Sequence, residues 1–94
     1  MKIFLFVSLL YSCMFPQSDN SYLIKGDDYY KKFDLINAAK NYDSAYKQNP
    51  YNYFVLERVT KIFNDLGEDY YEINDKEHAE QSFNKAVKYA EIFY

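Results

Sequence analysis

"GDDYYKKFDLINAAKNYDSAY", Gly26 to Tyr46, returns forty-one residues later as "GEDYYEINDKEHAEQSFNKAV", Gly67 to Val87. The stretches align without a gap and share seven of twenty-one positions: Gly26/Gly67, Asp28/Asp69, Tyr29/Tyr70, Tyr30/Tyr71, Asp34/Asp75, Ala38/Ala79 and Ala45/Ala86. Tyr42/Phe83 is a conservative pair. A chain that repeats at a fixed period stacks supersecondary units, none of which can bury its apolar face alone.

Around this repeat the apolar residues recur at helical spacing. Tyr22, Leu23, Ile24, Tyr29, Tyr30 and Phe33 form one stripe, at the three- and four-residue steps of a helix with one buried face. Asp19 or Ser21 is placed to cap its start. Leu35, Ala38, Ala39, Tyr42, Ala45 and Tyr46 form a second stripe. Asp34 precedes it, where a carboxylate accepts N–H groups of the first turn, and Asn49-Pro50 stops it. A longer helix over about 52–73 carries Tyr53, Phe54, Leu56, Val59, Ile62, Phe63, Leu66, Tyr70, Tyr71 and Ile73. Gly67 lies inside it at a cost of about 1 kcal/mol relative to Ala, which implies close approach of a neighbour. After a turn at Asn74-Asp75, the last stripe is Ala79, Phe83, Ala86, Val87, Ala90 and Phe93. The expected fold is all-α: two antiparallel helix-turn-helix pairs.

These spacings resemble the tetratricopeptide repeat family, whose pattern is roughly W-x2-L-G-x2-Y-x8-A-x3-F-x2-A-x4-P. The first copy runs Tyr22, Lys25, Gly26, Tyr29, Ala38, Tyr42, Ala45, Pro50, with Lys25 in place of the usual Leu. The second runs Phe63, Leu66, Gly67, Tyr70, Ala79, Phe83, Ala86, and has Glu91 where the family has Pro. The family period is about thirty-four. Seven further residues are two helical turns, so the face keeps its phase; they fall between Pro50 and Phe63 and lengthen the third helix at its start. The resemblance divides the chain into a first repeat at 19–52 and a second at 53–94, a fragment of an α-α superhelix.

The resemblance implies a scaffold without catalysis that holds a protein or peptide on a concave face lined by the first helix of each pair. Mapped residue by residue, that face is Asp27, Tyr30 and Lys31 from the first repeat and Asn64, Glu68, Tyr71 and Glu72 from the second. It reads as acidic and aromatic, suited to a partner segment with Lys or Arg beside apolar groups. Tyr30 and Tyr71 are the candidate anchors; the alternative is that they only pack between helices. The repeat-packing positions are Gly26, Tyr29, Ala38, Tyr42, Ala45, Gly67, Tyr70, Ala79, Phe83 and Ala86.

The opening "MKIFLFVSLLYSCMFPQ" differs in kind: Lys2, an apolar run from Ile3 to Phe15, then a polar exit. That is the form of a secretory signal over residues 1–17, too short to span a bilayer, which takes about twenty apolar residues. Two processing routes fit. "LLYSC" resembles a lipobox and makes Cys13 a candidate for lipidation and membrane anchoring; the other route is cleavage near Phe15–Ser18 and soluble secretion. The expected location is accordingly periplasmic, outer-membrane lipoprotein or secreted.

Composition excludes other classes. Net charge beyond residue 17 is −4, fourteen acids against ten bases, so there is no positive face for nucleic acid. One Cys and one His leave little for a metal site, an internal disulfide or a nucleophile–base pair. We expect no cofactor and no enzyme activity. An apolar end at Phe93 and Tyr94 invites a partner: a second copy, a larger exported complex as a small lipoprotein subunit, or the continuation of a longer membrane sensor.

Overall fold

The computed structural model describes residues 20–93, with side chains to Ile92. The expectations placed on the signal segment, Cys13, Asp19, the Phe93 side chain and Tyr94 fall outside the described residues. The described chain is all-helical: α1 (Ser21–Lys31), α2 (Leu35–Gln48), α3 (Tyr53–Glu72) and α4 (Lys76–Phe93). They pack in chain order as two hairpins, α1·α2 and α3·α4, joined by the α2·α3 contact. Among the described residues no helix is long and apolar enough to cross a membrane.

The helix ends follow from local chemistry. Asp34 caps α2: its Oδ1 accepts the Asn37 backbone N–H at 3.2 Å and its Oδ2 the Asn37 amide at 2.8 Å. These bonds from Asn37 hold the Asp34 carboxyl below the usual range. Asp75 takes the same position before α4 and accepts the His78 N–H at 3.2 Å. Asn52 caps α3 through bonds from Phe54 and Val55 at 2.9 and 3.2 Å. The start of α1 differs from expectation: Ser21 is its first helical residue, and Asn20 stands at the cap with no side-chain bond.

The two hairpin turns are copies. Phe33 and Asn74 both have positive φ, 62° and 66°. In each, the left-handed residue donates three back (Phe33 to Tyr30 O, Asn74 to Tyr71 O, both 3.0 Å) and the following Asp donates five back (Asp34 to Tyr29 O, 3.0 Å; Asp75 to Tyr70 O, 2.9 Å). This is the Schellman arrangement, which pairs carbonyls orphaned at a helix end. The Asp that closes one helix also caps the next, so the reversal takes three residues.

The core lies between the hairpins. Val59 and Ile62 of α3 are wholly buried and join Phe63 and Leu66 against Ala38, Ala39 and Tyr42 of α2. Each such aliphatic side chain contributes about 1.5–3 kcal/mol by leaving water. Gly26 is buried because the Tyr42 ring occupies the space of a Cβ, and Gly67 because the Phe83 ring lies 2.5 Å from where one would be. The close neighbour of each glycine is therefore an aromatic ring of the partner helix, not a backbone. α3 places five residues after Gly67, as α1 does after Gly26, so its extra length lies wholly at its start.

Three stripes differ in part from their reading. Val87 is 56% exposed, whereas Tyr89 and Ser82 are buried on α4. The apolar alternation 79–83–86–90 admits either neighbour. Packing selects Tyr89, whose ring reaches α2, stacking on Phe63 at 5.8 Å and meeting Tyr46 edge-on at 4.8 Å. Tyr53 and Phe54 of the third stripe, in the first turn of α3, and Ile73, which caps its end, are likewise exposed, as is Ile24 of the first stripe.

Candidate protein-binding face

The expected concave face contains more internal chemistry than its sequence suggests. Asp27 of α1 is gripped by Arg58 of α3, from Nε and Nη2 at 3.3 Å each, and accepts a short hydrogen bond from the Tyr42 hydroxyl of α2. One carboxylate thus ties three helices. Burial works to raise its pKa, but the bonds from Arg58 and Tyr42 and the guanidinium charge outweigh that and hold it below the ordinary 3.8. Burial, then the bond to Asp27, raises the Tyr42 phenol far above its usual value. Asp27 is thereby engaged within the fold.

Tyr30 is also engaged. Its hydroxyl donates to Asp65 of α3 at 3.0 Å, Lys61 lies 5.1 Å above its ring, and the ring packs on the core. Tyr71, its counterpart, is 64% exposed. The repeat gives these two tyrosines one register but different surroundings, because only Tyr30 has α3 beside it. Asn64 donates to Glu68 at 3.3 Å on the open side of α3. Lys31 and Glu72 are exposed at the last turns of α1 and α3. The face is not uniformly acidic: Arg58 and Lys61, absent from the sequence reading, stand between α1 and α3.

The acidic and aromatic character concentrates where the hairpin turn meets α3. There a cleft of about 240 Å³ has Tyr30, Phe33 and Leu35 on one wall and Asp65, Glu68 and Asp69 on the other. Phe33 is 89% exposed. A bulky residue in the left-handed region is strained, and exposing its ring to water adds a second cost. Both costs fall on one residue at the mouth of the cleft. Sequence periodicity assigned Phe33 to a buried stripe. The signal that could have placed it in the turn was its alignment with Asn74, a residue tolerant of this conformation.

His78 Nδ1 pairs with Asp75 Oδ2 at 2.7 Å and its ring lies 5.2 Å from that of Tyr70. Among the described residues no three of His, Cys, Asp and Glu gather to hold a metal ion. No protein-family model, no curated protein and no solved structure matches the chain.

Proposed function

We propose that this chain is an exported helical-repeat scaffold of the tetratricopeptide type that holds a segment of another protein. The observation that carries this reading is the cleft between Phe33 and the carboxylates of Asp65, Glu68 and Asp69. An apolar group against Phe33 with a Lys or Arg among three acids suits it, and Tyr71 and Glu72 extend the surface along α3. A rigid aromatic exposed before binding loses little conformational freedom on contact. The repeated hairpin turn and the repeated glycine–ring packing support the family reading. The apolar run at 1–17 supports export.

The test is a titration of the ninety-four-residue chain with a synthetic peptide alternating Arg with Leu and Phe, followed by calorimetry and by aromatic NMR resonances. Saturable binding is expected, weakened by salt, by Glu in place of Arg in the peptide, and by Phe33→Asn or Asp69→Lys in the protein. Equal binding of the acidic peptide, or unmoved Phe33 resonances, would remove the proposal.

A further inference from the structure

A second cleft, of about 270 Å³, lies where α2, α3 and α4 meet. α3 gives it an apolar floor of Phe63, Leu66 and Tyr70. α2 brings Lys40 and Asp43 to one wall, and α4 brings Ser82 and Lys85 to the other. The first turns of α2 and α4 add Ile36 and His78. None of this lining is shared with the cleft at Phe33, and the inference does not depend on that cleft binding anything.

The chain carries more acids than bases, but this cleft does not. Its one carboxylate, Asp43, is already engaged. Oδ1 accepts the Tyr89 hydroxyl at 3.1 Å, and the Lys47 ammonium lies 3.6 Å from Oδ2. His78 is held by Asp75 at 2.7 Å. Among the described residues neither Lys40 nor Lys85 forms an ion pair with a carboxylate; Lys40 lies in the field of Asp34 without bonding it. Lys85 is instead held over the Phe63 ring, 4.9 Å from its centroid, a cation–π contact that places the ammonium above the floor.

Ser82 is the second observation. It is only 8% exposed, and its hydroxyl has no hydrogen-bond partner among the described residues. Its counterpart one repeat earlier, Asn41, bonds the Asn37 carbonyl of its own helix at 2.9 Å. A buried hydroxyl left without a partner is costly. This one stands three residues before Lys85, on the same face of α4.

We propose that this cleft binds a small organic acid, an aryl or alkyl carboxylate. Its apolar body lies on Phe63, Leu66 and Ile36, and its carboxylate accepts from the Ser82 hydroxyl and from the ammonium groups of Lys85 and Lys40. The lining chooses this occupant. Two uncompensated cations and a free hydroxyl donor call for an acceptor with negative charge, and such charge-assisted bonds are the stronger kind. The apolar floor rewards a hydrocarbon body, which an inorganic anion lacks. The volume lies near the lower end of small-molecule sites, about 300–1,000 Å³, so it suits one ring or a short chain and is too small for a helix.

Hydrocinnamate is the probe, titrated into the full chain and followed by amide and methyl NMR resonances. Saturable shifts are expected at Ile36, Ser82 and Lys85. Hydrocinnamamide, which has the same body without the charge, should bind about tenfold more weakly, and phenylpropylamine should not bind. Lys85→Gln and Ser82→Ala should each weaken the acid, while Phe33→Asn leaves it unchanged and separates the two clefts. Ser82→Ala has a second readout. Without ligand its Tm should hold or rise, because the hydroxyl it removes has no partner; a fall in Tm would overturn the role given to Ser82. Absence of saturation, equal binding of the amide, or shifts at Asp65 and Glu68 in place of Ser82 and Lys85 overturns the proposal. So does tighter binding of a peptide ending in Phe with a free carboxylate, since the cleft would then receive a chain end. Circular dichroism of each variant, with wild-type helicity, ties any loss of binding to the cleft.

Discussion

Phe33 and Asn74 are forty-one residues apart and share one left-handed backbone, with φ of 62° and 66°. Both end the first helix of a hairpin with the same pair of backbone bonds. Asn adopts this conformation at small cost and Phe does not. The two turns therefore share one backbone, and the first of them carries a side chain that this backbone disfavours.

Phe33→Asn is expected to stabilise the chain by roughly 1 kcal/mol by relieving that strain, an increase in Tm of about 4–8 °C for a domain of this size. Asn74→Phe is expected to lower Tm by a similar amount. Thermal melts of the two variants check this; movement of both in one direction would show that the turn does not set the difference. Phe33→Asn is also the variant expected to bind the basic peptide less well. Greater stability with weaker capture is the signature of strain kept for contact.

Helices and their pairing were legible because the repeat states them twice. Gly26 and Gly67, Ala38 and Ala79, and the capping Asp34 and Asp75 each appear in register, and period fixes which face they share. The candidate site was legible only in part. Arg58, Lys61 and Asp65 shape it by reaching back from α3 to α1, and their partners lie thirty-one to thirty-five residues away. No local spacing announces such a pairing. Tyr89 was hidden for a different reason: it departs from the repeat, its counterpart being Gln48, and only the tertiary contact with Phe63 and Asp43 reveals why an aromatic stands there.

The Asp27 junction gives stability an acid limit. The folded pKa of Asp27 lies below its ordinary 3.8. A group with a depressed folded pKa contributes fully above its unfolded value, and the contribution disappears as pH falls through the folded one. Denaturant melts are expected to weaken below about pH 4. Asp27→Asn should cost about 1–2 kcal/mol at pH 7, the pair being partly exposed to screening solvent. It should also flatten the decline in acid. An unchanged acid slope in the variant would place the pH dependence elsewhere.

Tyr89 sets a limit at the other end. Burial, then the Asp43 carboxylate that accepts its hydroxyl at 3.1 Å, pushes its pKa up from 10.0 to about 12. Around it α2 also brings Tyr46 and Lys47, the latter 3.6 Å from Asp43. A raised folded pKa means the contribution is complete below pH 10 and is lost as pH climbs toward 12. Alkaline melts should decline in that window, and Tyr89→Phe should decline less there while losing about 1 kcal/mol at neutral pH. Ultraviolet titration of the phenols, with and without Tyr89, measures the shift directly.

The two glycines test whether the hairpins are as equivalent in energy as in sequence. A Cβ on Gly26 would meet the Tyr42 ring, with Cδ1 at 2.5 Å, and that ring is 3% exposed and fixed at its hydroxyl by Asp27. A Cβ on Gly67 would lie 2.6 Å from Cδ1 of Phe83, but Phe83 has no hydroxyl bond and borders an open groove between α3 and α4. Alanine gains about 1 kcal/mol over glycine in helix propensity, and overpacking costs about 1–3 kcal/mol where neighbours cannot yield. Both alanines should therefore destabilise, Gly67→Ala less than Gly26→Ala, because the whole Phe83 side chain, whose Cγ would also lie 2.9 Å from the new Cβ, must shift but has open space beside it. Tyr42→Phe should soften the Gly26→Ala penalty, since it frees the ring, and the two changes should be less than additive. Equal losses for the two alanine variants would mean that the open groove does not accommodate the Phe83 ring.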